Sequence, residues 1–199
     1  MFMKTPHTLD QYCDIIRKTY KSVSSSLCLF CDIAKGRNIS MILVLFGTQS
    51  FAFNRLAEEI ELLISAGLVS KDEQIVMQTG VTVFAPQYPN IELIPFLARD
   101  QYNDYIEKAR IIVTHGGAGS IFDSLQRGKQ VVALARKLEL NEHIDNHQFE
   151  LLEVLYKNGY IIAEKTLNES FKKLSNFTFK PYETKQKQII EKVKQWINE

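Results

Sequence analysis

The sequence has little of what would settle its class at once. Among its 199 residues there are three cysteines, all early, at Cys13, Cys28 and Cys31. An odd count argues against a disulfide framework. Cys28 and Cys31 have the C-x-x-C form, but no second pair and no nearby His-x-x-x-His completes a zinc site. The apolar spacer between them gives no support to a thioredoxin-like unit, so buried or idle thiols are the reading. Net charge is also nearly absent, at +1, which excludes a general pull toward nucleic acid or anionic lipid. Any anion binding must be local. No apolar run approaches the roughly 20 residues of a membrane-spanning helix. A signal peptide's long apolar core is missing as well, since residues 27–31 are too short a run and come too late. These absences point to a cytoplasmic protein that meets a membrane only at its surface or through a partner.

What is present is ordinary for a soluble domain: 45% hydrophobic and 24% charged residues, with the length of one domain plus extensions. The regular rhythm begins at Met41. Residues 41–46 are continuously apolar and run into Gly47 and Thr48, which reads as a buried first strand and its turn. A helix follows from about Asn54, with Leu56, Ile60, Leu63 and Ile64 on one face and Gly67 near its end. Residues 75–78 read as a second strand and 91–96 as a third, with Pro95 at its end. The loop between them, residues 80–90, has room for a brief extended piece at 81–84. A short helix over 100–109 has Tyr102, Tyr105 and Ile106 as its inner face. Residues 111–114 and 131–135 read as two further buried strands, and 160–163 as a last one. A helix from about Asn146 to Lys157 lies between the last two, and Thr166 with Glu169 resembles a capping box for another. Strands alternating with helices specify a parallel sheet with helices on both faces.

Two ends fall outside that rhythm. Residues 1–40 form an extension, helical around Leu9, Tyr12, Ile15 and Ile16 or poorly ordered, and translation from Met41 is an alternative. Residues 181–199 read as a charged C-terminal helix with a stripe of Ile189, Ile190, Val193 and Trp196. The domain proper is then 41–180.

The most informative stretch is Ile111-Ile-Val-Thr-His-Gly-Gly-Ala-Gly-Ser-Ile-Phe-Asp123. Four β-favouring residues run into His115, then Gly116, Gly117 and Gly119, with Ser120 as a candidate N-cap and Ile121, Phe122 and Leu125 starting a helical face. Glycines there let backbone N–H groups approach a ligand, and a helix N-terminus adds about half a positive charge. Such a corner suits a phosphate, although glycines at a strand–helix corner also occur for purely structural reasons. The dinucleotide fingerprint would need glycine in place of Phe122, and no Gly-Lys-Ser/Thr of a P-loop is present. Asp123 follows Ser120 by three residues, on the expected first turn. Its carboxylate is placed either to accept bonds from ribose hydroxyls or merely to complement the helix dipole.

In open α/β sheets, ligands bind beyond the carboxyl ends of the strands. Gly47 and Thr48, residues 115–120 and residues 136–148 converge there. The last segment holds a polar cluster, Asn141-Glu-His-Ile-Asp-Asn-His-Gln148, which also reads as a solvated loop with Asp145 or Asn146 as N-cap. His143 and His147 stand four apart, but without an H-E-x-x-H pattern no metal site is assigned.

Three segments taken in order carry a resemblance: Thr114-His-Gly-Gly-Ala-Gly-Ser-Ile-Phe-Asp123, Gly128-Lys-Gln-Val-Val and Asp145-Asn-His-Gln148. Together with the Met41-Ile-Leu-Val-Leu-Phe-Gly-Thr48 opening, they resemble the donor-binding, C-terminal half of family-28-type GT-B glycosyltransferases. The chain is similar above all to the small catalytic subunit of the two-part UDP-GlcNAc transferase of N-glycan assembly and to bacterial capsule and exopolysaccharide relatives. The resemblance spans about residues 41–163. It implies a single Rossmann-like donor lobe that takes a UDP-sugar and transfers a hexose or hexose derivative with inversion, with no cofactor and no metal. It assigns the diphosphate to Gly116, Gly117, Gly119 and Ser120 and the ribose to Asp123. Asn146 and Gln148 take the donor sugar, Gly47 and Thr48 line the cleft, and His115 is a candidate catalytic residue. Family members often carry alanine where this chain has Gly117, so that exchange is expected to be harmless.

The resemblance also implies partners. A membrane-associated subunit would supply the acceptor lobe, recruit this chain to the cytoplasmic face and present a polyprenyl-diphosphate-linked saccharide. No nucleic acid is implied. Galactose, GlcNAc and glucuronate all remain open as the sugar. A non-catalytic nucleotide-binding or scaffold subunit of such a complex is the alternative.

Overall fold

The computed structural model describes residues 40–145 and 147–183. The leader with its three cysteines, Asn146, and the stripe at Ile189, Ile190, Val193 and Trp196 lie outside the described residues. Five strands form one sheet: β1 (Met41–Leu45), β2 (Gln74–Gln78), β3 (Ile91–Ile94), β4 (Ile111–Thr114) and β5 (Gln130–Ala133). Their order is β3-β2-β1-β4-β5, and every pairing is parallel. Among the described residues, three α-helices join strands, α1 (Asn54–Ser65), α2 (Arg99–Lys108) and α3 (Ala118–Gln126), and two follow β5, α4 (His147–Lys157) and α5 (Leu167–Lys173).

β1 is buried on both faces, and its period of two sorts the core into two halves. Ile42, Val44 and Phe46 join Leu56, Ile60, Leu63 and Phe171 on the side of α1 and α5. Met41, Leu43 and Leu45 join Ile106, Ile121, Leu125, Leu152 and Leu155 on the side of α2, α3 and α4. Each such aliphatic side chain contributes about 2 kcal/mol by burial. Helices therefore cover both faces of a Rossmann-like parallel sheet. The strand order reverses direction at β1 and β4, so the loops leaving these two strands open a crevice between them.

Several elements differ from the sequence reading, each for a physical reason. β3 stops at Ile94, because Pro95 has no N–H for the ladder. The Pro95 carbonyl instead accepts from the Gly80 N–H at 2.8 Å and from Gln78 Nε2 at 3.0 Å. Residues 81–84 do not form a strand. Thr82 Oγ1 accepts the Phe53 N–H at 2.9 Å and ties this loop to the start of α1. The expected last strand at 160–163 reduces to one parallel bridge between Ile162 and Val132. In α2 only Ile106 is fully buried, with Tyr102 and Tyr105 half-buried. Thr166 does cap α5, its hydroxyl accepting the Glu169 N–H at 3.2 Å.

The glycine corner differs as well. Helix α3 begins at Ala118 with Gly117 as N-cap, three residues before Ser120, the candidate cap. Asp123 therefore sits on the second turn, and its placement as a first-turn dipole complement is lost. α4 begins at His147, whose N–H donates to Asp145 Oδ1 at 3.1 Å; the N-cap position itself, residue 146, lies outside the described residues.

Candidate functional site

Beyond the carboxyl ends of β1 and β4 lies a cavity of about 640 Å³. It is lined by Gly47 and Thr48 from the first turn, by His115, Gly117, Gly119, Ser120 and Asp123 from the glycine corner, and by Phe96, Leu97 and Tyr102 across from them. Seven of the residues singled out in the sequence thus share one wall system. Gly116 and Gln148 are not on this lining; they meet each other instead. A Cβ on Gly116 would lie 3.2 Å from Gln148 Oε1, and that oxygen accepts the Arg136 N–H at 3.1 Å. Asn146 lies outside the described residues.

The corner is held together by His115. Its main-chain N–H donates to the Leu45 carbonyl at 3.2 Å, and its Nδ1 lies 3.2 Å from the same oxygen. A carbonyl only accepts, so Nδ1 carries the ring proton and Nε2 is left as an acceptor. Burial pushes the imidazole down to about 4, the positive charges of Arg136 and His143 add to this, and the Leu45 bond opposes it. His115 is therefore neutral at physiological pH. The ring fills the space between two glycines. A Cβ on Gly47 would sit 2.7 Å from its Cε1 and Nε2, and one on Gly117 would sit 2.4 Å from Nε2. Gly47 also has φ +84°, a conformation that side chains rarely adopt. The harmless Gly117→Ala exchange expected from the resemblance is thus corrected: in this chain alanine must displace a buried imidazole.

At the start of α3 the N–H groups of Ala118, Gly119 and Ser120 precede the first intrahelical bond, which runs from the Ile121 N–H to the Gly117 carbonyl at 3.2 Å. This is a cluster of donors at the positive end of a helix. One turn further, Asp123 Oδ1 accepts from Arg127 Nε at 3.2 Å. Its other oxygen, Oδ2, is buried. Tyr102 stands beside this carboxylate, and burial, the Asp123 charge and a side-chain hydrogen bond to Asp123 push its phenol up to about 12. Arg127 is itself fixed by Asn103 at 2.8 Å and Glu107 at 3.1 Å. Asp123 is thus a half-buried carboxylate held by Arg127 beside Tyr102, one turn beyond the N–H donors at the start of α3.

The segment after β5, whose polar cluster also reads as a solvated loop, is exposed over much of its length but is anchored by two buried charged residues. Arg136 and Glu142 are buried, at 1% and 5% exposure. Glu142 takes both ends of Arg55, at 3.0 and 2.7 Å, and the Lys137 N–H at 2.9 Å. Arg136 and Arg55 both lie over the Phe53 ring, at 4.8 and 5.1 Å from its centre. Gln78, also unremarked in the sequence, donates to the Gly47 carbonyl at 3.0 Å from beneath. A charged residue directly after an apolar strand, as Arg136 follows residues 131–135, was the available signal for the first of these.

His143 bonds within its own loop, its Nδ1 lying 3.2 Å from Asp145 Oδ1. No group of three or more His, Cys, Asp or Glu side chains suited to a metal occurs among the described residues. A second cavity, of about 590 Å³, lies on the other side of α4 between Phe149, Leu152, Tyr156 and Ala163 and carries no glycine corner. No described helix is long and apolar enough to cross a membrane.

Comparison with known proteins bears on what this arrangement is for. Residues 41–199 match the glycosyltransferase family 28 C-terminal domain. The UDP-N-acetylglucosamine transferase subunit ALG13 of Mus musculus is 30% identical over 105 residues, which cover 51% of this chain and 8% of that protein. The Candida albicans protein of the same name is 31% identical over 83 residues, 42% of this chain and 26% of that one. The chain therefore spans only a small part of the length of these relatives. Among solved structures, an ALG13 solution structure superposes with a TM-score of 0.50 at 16% identity, covering 77% of this chain and 94% of the other. The calicheamicin glycosyltransferase CalG4 gives 0.50 at 17%, covering 68% and 34%. At such identities the likeness is one of fold.

Proposed function

This chain belongs to the glycosyltransferase family 28 C-terminal domain family, and we propose that it is the catalytic, donor-binding subunit of a two-component inverting glycosyltransferase. The observation that carries the reading is the cavity itself. Gly119 and Ser120, whose helix-terminal N–H groups precede the first intrahelical bond, and Asp123 line it together with Gly47 and Thr48. Their spacing suits a nucleoside diphosphate, with the diphosphate on the amides, ribose hydroxyls donating to Asp123, and the base toward Phe96 and Leu97. The relatives named as UDP-N-acetylglucosamine transferase subunits make a UDP-sugar the donor to test first.

In the proposed reaction, an acceptor hydroxyl attacks the anomeric carbon from the face opposite UDP. The new C–O bond forms as the bond to the diphosphate breaks, and the configuration inverts. The amides and the N-terminus of α3 stabilise the negative charge that develops on the departing UDP, without reorganisation. His115 has no proton on Nε2 to give to the diphosphate. Its role, if chemical, is to accept a hydrogen bond from a hydroxyl at the cavity wall. The hydroxyl's proton leaves through a base that this reading places on the partner side.

The acceptor in this reading is a polyprenyl-diphosphate-linked saccharide of polysaccharide or N-glycan assembly. A membrane-associated partner subunit presents it and draws this chain to the cytoplasmic face. The test is transfer from UDP-GlcNAc, UDP-galactose and UDP-glucuronate by the full chain co-expressed with its partner, with and without EDTA. One donor should be used, EDTA should not abolish transfer, and the chain alone should be nearly inactive. UDP binding with no transfer in the complex would favour a scaffold subunit. Full transfer by the isolated chain would end the two-subunit reading.

A further inference from the structure

The buried arginine after β5 is not used by any step above, and its surroundings are unusual for a residue that only fills space. Arg136 is 1% exposed, and its guanidinium gathers carbonyls from three separate segments. Nη2 donates to Phe46 O at 2.7 Å, and Nη1 donates to Phe51 O and to Glu142 O, both at 2.8 Å. Nε has no partner among the described residues. Glu142, with its carboxylate on Arg55, is the acid whose charge partly offsets the buried cation, and burial still holds the guanidinium below its ordinary range. Replacing a buried charge network by apolar residues is often neutral or stabilising, so stability alone gives little reason for this one.

The three carbonyls tell what the arrangement does. Phe46 ends β1 and precedes Gly47, and Phe51 lies in the loop that carries Thr48 to α1. Peptide bonds here are trans, so a Phe46 carbonyl turned onto Arg136 directs the Gly47 N–H the opposite way. Gly47 lines the donor cavity, and its N–H has no partner among the described residues. At the other end, the main-chain N–H of Arg136 fixes Gln148 Oε1 at 3.1 Å. One residue thus sets both the first-strand turn and the donor-box glutamine.

We propose that Arg136 is a positioning residue for the transfer reaction: it locks the Gly47–Thr48 turn and Gln148 into one register while touching no substrate itself. The inference rests on the donor-site reading above. Because diphosphate and ribose are held by the α3 amides and Asp123, which Arg136 does not contact, nucleotide affinity should hardly depend on it. The geometry of the sugar end should.

The test uses the full chain with its partner, comparing wild type with Arg136→Lys, which keeps the charge but cannot span three carbonyls, and with Arg136→Gln. Calorimetry with UDP, donor kcat and KM, thermal melting and amide hydrogen exchange are measured together. The expected result is a UDP affinity within about threefold of wild type and kcat lower by tenfold or more. KM should change little, and exchange should be faster at residues 46–49, while the main-chain N–H that holds Gln148 is kept in both variants. Folded variants with wild-type kcat overturn the proposal. So does loss of folding in both variants and in Glu142→Gln, because the clasp would then serve stability. Failure of wild type itself to bind UDP would instead strike the donor-site reading, which keeps the two outcomes apart.

Discussion

The corner at residues 115–123 and the loop at residues 136–148 lie side by side beyond β4 and β5, and they are made rigid by opposite means. The turn of the corner is mostly backbone: Gly117, together with Gly47 of the neighbouring turn, packs on one neutral imidazole, and Gly119 and Ser120 line the cavity. The loop is made of side chains, and two arginines, a glutamate and an aromatic ring hold it to the start of α1. A backbone-built wall offers donors at fixed positions and loses nothing to side-chain entropy. A side-chain-built wall can be tuned residue by residue. The difference suits a site in which one part of the ligand is constant and another varies.

The comparison can be broken first on the loop side. Glu142→Ala removes the acid that pairs the half-buried Arg55 and offsets the buried Arg136, leaving both cations uncompensated. Stability should fall by about 3 kcal/mol, as for other broken buried pairs, read as a lower denaturant midpoint at unchanged slope. A loss below about 1 kcal/mol would mean that water replaces the carboxylate and that the loop is not a buried clasp.

The corner should be broken by acid. His115 titrates at about 4 when folded against an ordinary 6.5, so between these values the unfolded chain binds the extra proton. Stability should therefore be fully present above pH 6.5 and fall as pH drops toward 4, by up to about 3 kcal/mol. Denaturant titrations across this window check the sign, and His115→Gln should flatten the step. A stability that rises on acidification would contradict a neutral ring.

Two glycines two residues apart sharpen the picture. Gly117→Ala forces a methyl onto His115 Nε2 and should cost about 2 kcal/mol. Gly119→Ala meets nothing within 4 Å and lies inside α3. It should leave stability unchanged or raise it by up to about 1 kcal/mol. Equal melting shifts for both variants would mean that the imidazole is not what shapes the corner.

The same contrast explains what could be read from the sequence. The corner was legible because its information is local: apolar residues, then His115 and three glycines, then a helical face. Even there the N-cap was misplaced by three residues, since Ser120 looks like a better cap than Gly117, while the chain uses the glycine's backbone. The sheet was legible from apolar runs bounded by turns, except at residues 160–163, where one bridge replaces a strand. The loop was not legible. Arg55 and Glu142 are 87 residues apart, as the hydrogen bonds between them record, and nothing local to either announces the other. A charged cluster with no visible partner reads as solvated until the fold supplies one.

The central claim is that the corner and Asp123 hold a nucleoside diphosphate, and calorimetry of UDP with wild type and Asp123→Asn tests it most directly. The exchange removes the charge from the carboxylate that lines the cavity beside Tyr102 and puts an amide in its place. The account predicts saturable UDP binding by wild type and an affinity at least tenfold weaker for the folded variant, or about 1.4 kcal/mol. Equal affinity in the two proteins, or no UDP binding by the folded wild type, would contradict it.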